Sequence, residues 1–178
     1  MNDPIKSKVV LTGFMASGKS AVGRALAARL GRRFIDSDHE IVARAGKPIT
    51  QIFAEDGEAA FRRLEREVIA SLAAAPEPAV IATGGGALVD DVNYQTLSRA
   101  GTVVCLVARP EVIARRVLAS NVTRPKLAEG NLPLEERIVK LMEERKAAYA
   151  RAAITIDTSD MAVSAVTDQV LRALEAKE

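Results

Sequence analysis

Residues 13–20 read Gly-Phe-Met-Ala-Ser-Gly-Lys-Ser, and no other stretch limits the chain's folding choices so tightly. The run Val9-Val10-Leu11 before it has the pattern of a buried strand. The residues after it place Val22, Leu26 and Leu30 on one helical face. A strand that passes through a glycine-bounded loop into Lys-Ser and a helix is a Walker A arrangement. Its backbone N–H groups cluster at a helix N-terminus, where the helix dipole adds partial positive charge and an anion is held. Lys19 can then reach the β- and γ-phosphates of a nucleotide, and the Ser20 hydroxyl can ligate Mg²⁺. The nucleotide-binding residues expected on this basis are Ala16, Ser17, Gly18, Lys19, Ser20 and Ala21. An ordinary glycine-rich turn would leave the Lys-Ser pair unexplained.

The rest of the chain repeats the alternation. Strands are expected at 8–12, 33–36, 79–82, 102–107 and 154–157, with helical patterns between them, so the expected fold is a parallel sheet covered on both faces. Pro76 and Pro78 bracket the approach to the third strand, and Gly101 closes the helix before the fourth. A chain of 178 residues with 48% apolar and 27% charged residues suits one domain with a sizeable core. The whole chain, 1–178, is therefore expected to be a single domain. A net charge of +2 and 3% aromatics give no aromatic-studded basic patch, so nucleic acid is not an expected partner. Cys105, the sole cysteine, lies in an apolar strand pattern; an intramolecular disulfide is excluded and a reducing compartment fits. No run is apolar and long enough to span a bilayer, and the first strand begins too early for a signal peptide. The expectation is a cytoplasmic protein without membrane contact. Residues 119–133, with Asn121, Pro125, Gly130, Asn131 and Pro133, show no periodicity. A long loop in a compact pattern suggests a mobile lid.

Several charges stand where they need a reason. Asp36-Ser37-Asp38 follows the second strand, at the edge where ligands bind in open α/β sheets. Beside a phosphate loop, the two carboxylates suit Mg²⁺ organisation and hydroxyl recognition; the plainer alternative is Ser37 or Asp38 capping a helix over 40–45. His39 reads as a solvated first-turn histidine. In the helix expected over 58–72, Phe61, Leu64, Val68 and Leu72 form the apolar face. Arg62 and Glu65 sit one turn apart beside it, a spacing that alone indicates an exposed pair. In the helix expected over 134–150, Leu134, Ile138, Leu141, Met142 and Tyr149 form a stripe that also contains Arg145. A charge aimed at a core calls for a partner or an anion. Thr83-Gly84-Gly85-Gly86 ends the third strand with more glycines than a turn requires, which points to close ligand approach.

Across nearly its whole length the chain resembles the shikimate kinases. The resemblance rests on residues 13–20, on Asp36-Ser37-Asp38, on the string Phe53-Ala-Glu-Asp-Gly-Glu-Ala-Ala-Phe-Arg-Arg-Leu-Glu65, on Gly84 to Gly86, on Arg124-Pro125, and on Glu144-Arg145 with Tyr149 beyond. The phosphate loop alone would indicate only a nucleotide binder; the long string followed by the triple glycine is far more specific. The resemblance implies a P-loop kinase fold of the nucleoside-monophosphate-kinase type, α/β, with a five-stranded parallel sheet in the order 2-3-1-4-5. It implies ATP-dependent phosphorylation of the 3-hydroxyl of shikimate, with shikimate and ATP as partners, Mg²⁺ as cofactor and a monomeric enzyme. Lys19, Asp38 and Arg124 would be catalytic, with Arg124 also contacting the nucleotide phosphates. Asp38, Arg62, Gly84, Gly85, Gly86 and Arg145 would bind shikimate, the arginines taking its carboxylate, and Glu65 would orient Arg62. Ser20 would hold the metal directly and Asp36 through water. Residues of about 37–72 would supply the substrate-binding helices.

The chain also departs from the family pattern. Ala16 stands where glycine is common, so a positive φ there would be strained. Lys126 replaces an expected leucine. The column of an adenine-stacking arginine holds Val117, leaving Arg115 and Arg116 as candidates, and Thr158-Ser-Asp-Met161 lacks an expected proline. Two other functions remain open: a related small-molecule kinase of the gluconate kinase type, and a nucleotide-binding module without turnover. The first should lack the carboxylate-binding arginines, and the second should lack Lys19, Asp38 or Arg124.

Overall fold

The computed structural model describes residues 8–120, 127 and 131–177. Five strands, β1 (Lys8–Thr12), β2 (Arg33–Asp36), β3 (Ala79–Ala82), β4 (Gly101–Val107) and β5 (Ile154–Asp157), form one sheet in the order β2-β3-β1-β4-β5. Every pairing is parallel, with Val10 opposite Ile81 on one side and Val103 on the other. Eight helices are described: α1 (Lys19–Leu30), α2 (Ser37–Ala45), α3 (Ile49–Glu55), α4 (Gly57–Ala74), α5 (Asp91–Ala100), α6 (Pro110–Leu118), α7 (Leu134–Tyr149) and α8 (Val163–Glu175).

Side chains alternate across a strand, and β1 shows what this does at the centre of a sheet. Val9 and Leu11 pack with Val22 and Leu26 of α1 and Val166 and Val170 of α8. Val10 points to the other face, against Ile69 of α4 and Leu97 of α5. Both faces are dry, so β1 reads as a continuous apolar run. Each such Val or Leu contributes ~1.5–3 kcal/mol on burial. Cys105 lies in β4 with no exposure, as its sequence context implied; burial pushes its thiol up to about 11.

The expected strands appear within a residue of their bounds, the difference being that β4 starts at Gly101 rather than Thr102. The cap of α2 is a correction. Neither Ser37 nor Asp38 caps it; the helix begins at Ser37, and the Asp36 side chain accepts from Asp38 N at 3.1 Å. The short α3 was not legible as an element of its own. It ends where the chain reverses at Gly57, whose φ of +82° suits glycine.

A parallel sheet with this order aligns the carboxyl ends of all five strands along one edge. The phosphate loop, Asp36, the triple glycine and the segments after β4 and β5 leave the sheet there.

Candidate active site

The phosphate loop is shaped by its glycines. Gly13 has φ +134°, and a Cβ there would lie 2.1 Å from Leu106 O of the neighbouring strand, so only glycine lets the chain leave β1 at this angle. Lys19 Nζ folds back to donate to Gly13 O and Phe14 O, each at 2.9 Å. Burial of the ammonium pushes its pKa down to about 8, against the opposing pull of Asp38 and Asp36. Ser20 Oγ donates to Asp36 Oδ2 at 3.0 Å. The hydroxyl and carboxylate expected to organise a metal are thus neighbours. Ala16 has φ +59°, so the strain that a positive φ brings to a non-glycine residue is present here. Ser17 is buried, while Ala21 lies exposed on the first turn of α1.

Asp38 projects from the first turn of α2. Burial, and then the charge of Asp36, raise its carboxyl above the ordinary range, while Lys19 opposes the rise. His39 is exposed beside it, as expected.

Arg62 does not form an exposed surface pair. Its Nη1 donates to Glu65 Oε2 at 2.7 Å and its Nη2 to Glu58 Oε1 at 3.3 Å, and Glu65 is only 1% exposed. Burial raises the Glu65 carboxyl pKa, and the Arg62 charge works against that rise. Helix periodicity alone could not show this, because Glu65 is enclosed by a segment remote in sequence: a Cβ on Gly84 would lie 3.5 Å from Glu65 Oε1. Arg145, on α7, is 8% exposed, and its guanidinium lies 5.6 Å from the Phe14 ring. The core stripe does carry a buried cation, as its position required.

The triple glycine explains how these groups meet. None of the three has a left-handed φ, so a turn does not require them. A Cβ on Gly84 would lie 2.8 Å from Asp38 Oδ1, one on Gly85 3.1 Å from Arg145 Nη1, and one on Gly86 3.3 Å from Arg62 Nη2. Each glycine therefore makes room for one of the three expected substrate-binding side chains. The Gly85 Cβ would also come within 3.3 Å of Met15 N, so the same segment lies against the phosphate loop. Two further side chains fix it. Gly84 N donates to Ser37 Oγ at 3.2 Å, and Tyr149 Oη donates to Gly85 O at 2.6 Å. Sequence reasoning placed Tyr149 on the apolar stripe and within the family resemblance, without a role at the site. Its position one turn after Arg145 was the available signal, since the two share a face.

A cavity of about 570 Å³ joins these parts. Lys19 and Ser20 of the phosphate loop, the carboxylates Asp36 and Asp38, and Gly84 to Gly86 with Arg62 and Arg145 line it, and Val42, Ile49, Phe53 and Phe61 give it an apolar wall. The Phe53 and Phe61 rings meet tilted at 35°, with centroids 4.8 Å apart. Beyond the arginines lies a second cavity of about 620 Å³, for which Arg62, Gly86 and Arg145 are a shared boundary. Of the adenine candidates, Arg116 lies against the phosphate loop, lining a small cavity with Thr158 and Met161. Arg124 and Lys126 lie outside the described residues; Leu127 is buried against Phe14 and Ile138.

Chemically, the cavity brings together an anion-binding loop, paired carboxylates and two guanidinium groups. It suits a polyphosphate and a small hydroxylated acid held end to end. Comparison with known proteins agrees. The shikimate kinase family model matches residues 15–175. A shikimate kinase from Geobacter sulfurreducens is 48% identical over 162 residues, covering 91% of this chain and 87% of that protein. The solved structure of shikimate kinase from Acinetobacter baumannii in complex with shikimate superposes with a TM-score of 0.90 at 35% identity, covering 97% of this chain and 94% of that one. A gluconokinase from Sinorhizobium meliloti 1021 matches with a TM-score of 0.64 at 19% identity, a likeness of fold alone. On its sequence and its structure, this chain belongs to the shikimate kinase family.

Proposed function

We propose that the protein transfers the γ-phosphoryl group of ATP to the 3-hydroxyl of shikimate. The observation that carries this reading is the convergence of Asp38, Arg145 and Arg62 on three successive glycines, in one cavity with Lys19 and Ser20. Planar guanidinium forks match a carboxylate, and the Phe53–Phe61 wall offers an apolar surface to a ring. The gluconate kinase alternative is less supported, since both arginines are present and the likeness to a gluconokinase is of fold alone.

Phosphoryl transfer relies on positioning and charge neutralisation. Lys19 would exchange the carbonyls of Gly13 and Phe14 for phosphate oxygens. Ser20 and Asp36 offer adjacent hard oxygens, which fits Mg²⁺ held by few protein ligands and several waters. The metal would supply charge neutralisation at the phosphates. Asp38, half-buried and raised in pKa, is placed to align the acceptor hydroxyl and take up its proton late in transfer. Glu65 and Glu58 hold the Arg62 fork in orientation. Residues 119–133 are assigned to a lid that brings Arg124 to the phosphates, and the helices within about 37–72 to the acceptor side. The protein acts as a cytoplasmic monomer in this reading; among the described residues no helix is long and apolar enough to cross a membrane.

The test is ADP formation with ATP and Mg²⁺, offered shikimate or gluconate, with the product identified by ³¹P NMR. Shikimate-dependent turnover yielding a 3-phosphate is expected. Turnover with gluconate alone would overturn the proposal.

A further inference from the structure

The outer side of the phosphate loop is held by Arg116 and Thr158, to which the proposed mechanism gives no part. Among the described residues, Ala16 is the non-glycine residue with positive φ, where its Cβ is crowded by its own backbone. Its carbonyl accepts from Arg116 Nη1 at 3.2 Å. The same nitrogen reaches Thr158 Oγ1 at 3.1 Å, and Arg116 Nη2 donates to Thr158 O at 2.7 Å. Thr158 Oγ1 in turn donates to Ser17 O at 3.0 Å. One charged fork and one hydroxyl therefore hold two successive loop carbonyls. Thr158 is itself anchored, its N–H donating to Val107 O at 2.8 Å as an extension of the sheet.

A trans peptide points its C=O and N–H in opposite directions, and no cis bond occurs among the described residues. Holding Ala16 O outward fixes Ser17 N–H, which donates to Phe14 O at 3.2 Å. Holding Ser17 O against Thr158 fixes the plane of the following peptide and with it Gly18 N–H, which points away from Thr158. The contact thus fixes the orientation of two successive peptide planes of the loop.

We propose that Arg116 is a positioning residue for nucleotide binding: with Thr158, it stabilises the left-handed turn at Ala16 and so presets the phosphate-binding loop. The charge of the fork matters because hydrogen bonds from an ionised donor to a carbonyl are stronger than neutral ones. The inference rests on the reading of the loop as an ATP site, but not on the identity of the acceptor.

The experiment uses the full chain and the variants Arg116→Ala, Arg116→Lys, Ala16→Gly and the double variant Ala16→Gly/Arg116→Ala. Calorimetric titration with an unreactive ATP analogue, and separately with shikimate, reports the two sites. Arg116→Ala should weaken the nucleotide by about tenfold and leave shikimate within about twofold. Lysine at 116 should keep part of the affinity, since it supplies charge without a fork. In the Ala16→Gly background, where the turn is unstrained, removing Arg116 should cost about threefold or less. Equal losses in the two backgrounds, or equal weakening of both ligands, would overturn the proposal. Should Arg116→Ala fail to fold, a folded double variant that binds nucleotide supports the coupling, and a double variant that also fails to fold overturns it. Wild-type protein that binds nucleotide but does not turn over shikimate would refute the functional reading and leave this test intact.

Discussion

Lys19 carries a consequence of burial that can be measured. Its pKa is lowered to about 8 in the ligand-free protein, with burial as the main cause. A bound polyphosphate would place negative charge beside it and raise that value, so nucleotide binding takes up a proton above pH 8. ATP affinity should be flat below pH 8 and fall by up to about tenfold per pH unit above it. Calorimetry in buffers of different ionisation enthalpy tests this, and flat affinity with no proton uptake between pH 7 and 9.5 would contradict it. The sign for folding is opposite. Between about 8 and 10.5 the unfolded chain binds more protons at this site, so its contribution to stability improves as pH rises. Asp38 gives a second prediction. Asparagine keeps the shape and loses the charge that would align the acceptor. Asp38→Asn should lower kcat by roughly 10²-fold or more while weakening shikimate by less than about tenfold. Lost binding with unchanged kcat at saturation would make Asp38 a recognition residue only.

At the scale of elements, the segment Gly84 to Gly86 joins the nucleotide and acceptor ends of the cavity. Gly84→Ala tests it. The new methyl would stand 2.8 Å from Asp38 Oδ1 without any backbone strain, because Gly84 has an ordinary φ. The fold should survive, and kcat should fall by about tenfold or more as Asp38 is displaced. Circular dichroism melting and steady-state kinetics separate the two effects; unchanged kcat would show that Asp38 is not held by this contact. How far such details are legible in sequence depends on the range of the interaction. The phosphate loop was legible because strand, loop and helix are consecutive. The buried Arg145 was legible because helix period places it among apolar residues. Burial of Glu65 beside the half-buried Arg62 was not, since it depends on Gly84 and Asp38, remote in sequence, coming against α4, and the local spacing fits a solvated pair equally well. The same holds for Tyr149 on Gly85 and Ser37 on Gly84, contacts made across 64 and 47 residues.

For the whole molecule, the alternation of elements implied a parallel sheet, whereas its order came from the family resemblance and not from the spacing of strands. That order matters because it brings the ends of β1, β2 and β3 side by side, and with them Lys19, Asp36 and Gly84. Helix α7 then delivers Arg145 from the far end of the sequence. The lid assignment predicts that Arg124→Ala cuts turnover by ~10³-fold, as expected of an arginine serving the transferring phosphoryl group. Shikimate affinity without nucleotide should be unchanged, and a near-wild-type rate in a coupled assay would remove Arg124 from the chemistry.

The central claim is that Arg62 and Arg145 form a clamp for the carboxylate of the acceptor. Titration of the wild type, Arg62→Ala and Arg145→Ala with shikimate and with its methyl ester tests it directly. The wild type should bind the acid about one to two decades more tightly than the ester, since a charge-assisted bond contributes ~1.5–3 kcal/mol. That preference should shrink in both variants, while affinity for an ATP analogue stays within about threefold. Equal binding of acid and ester by the wild type, or a preference that survives removal of either arginine, would contradict the account.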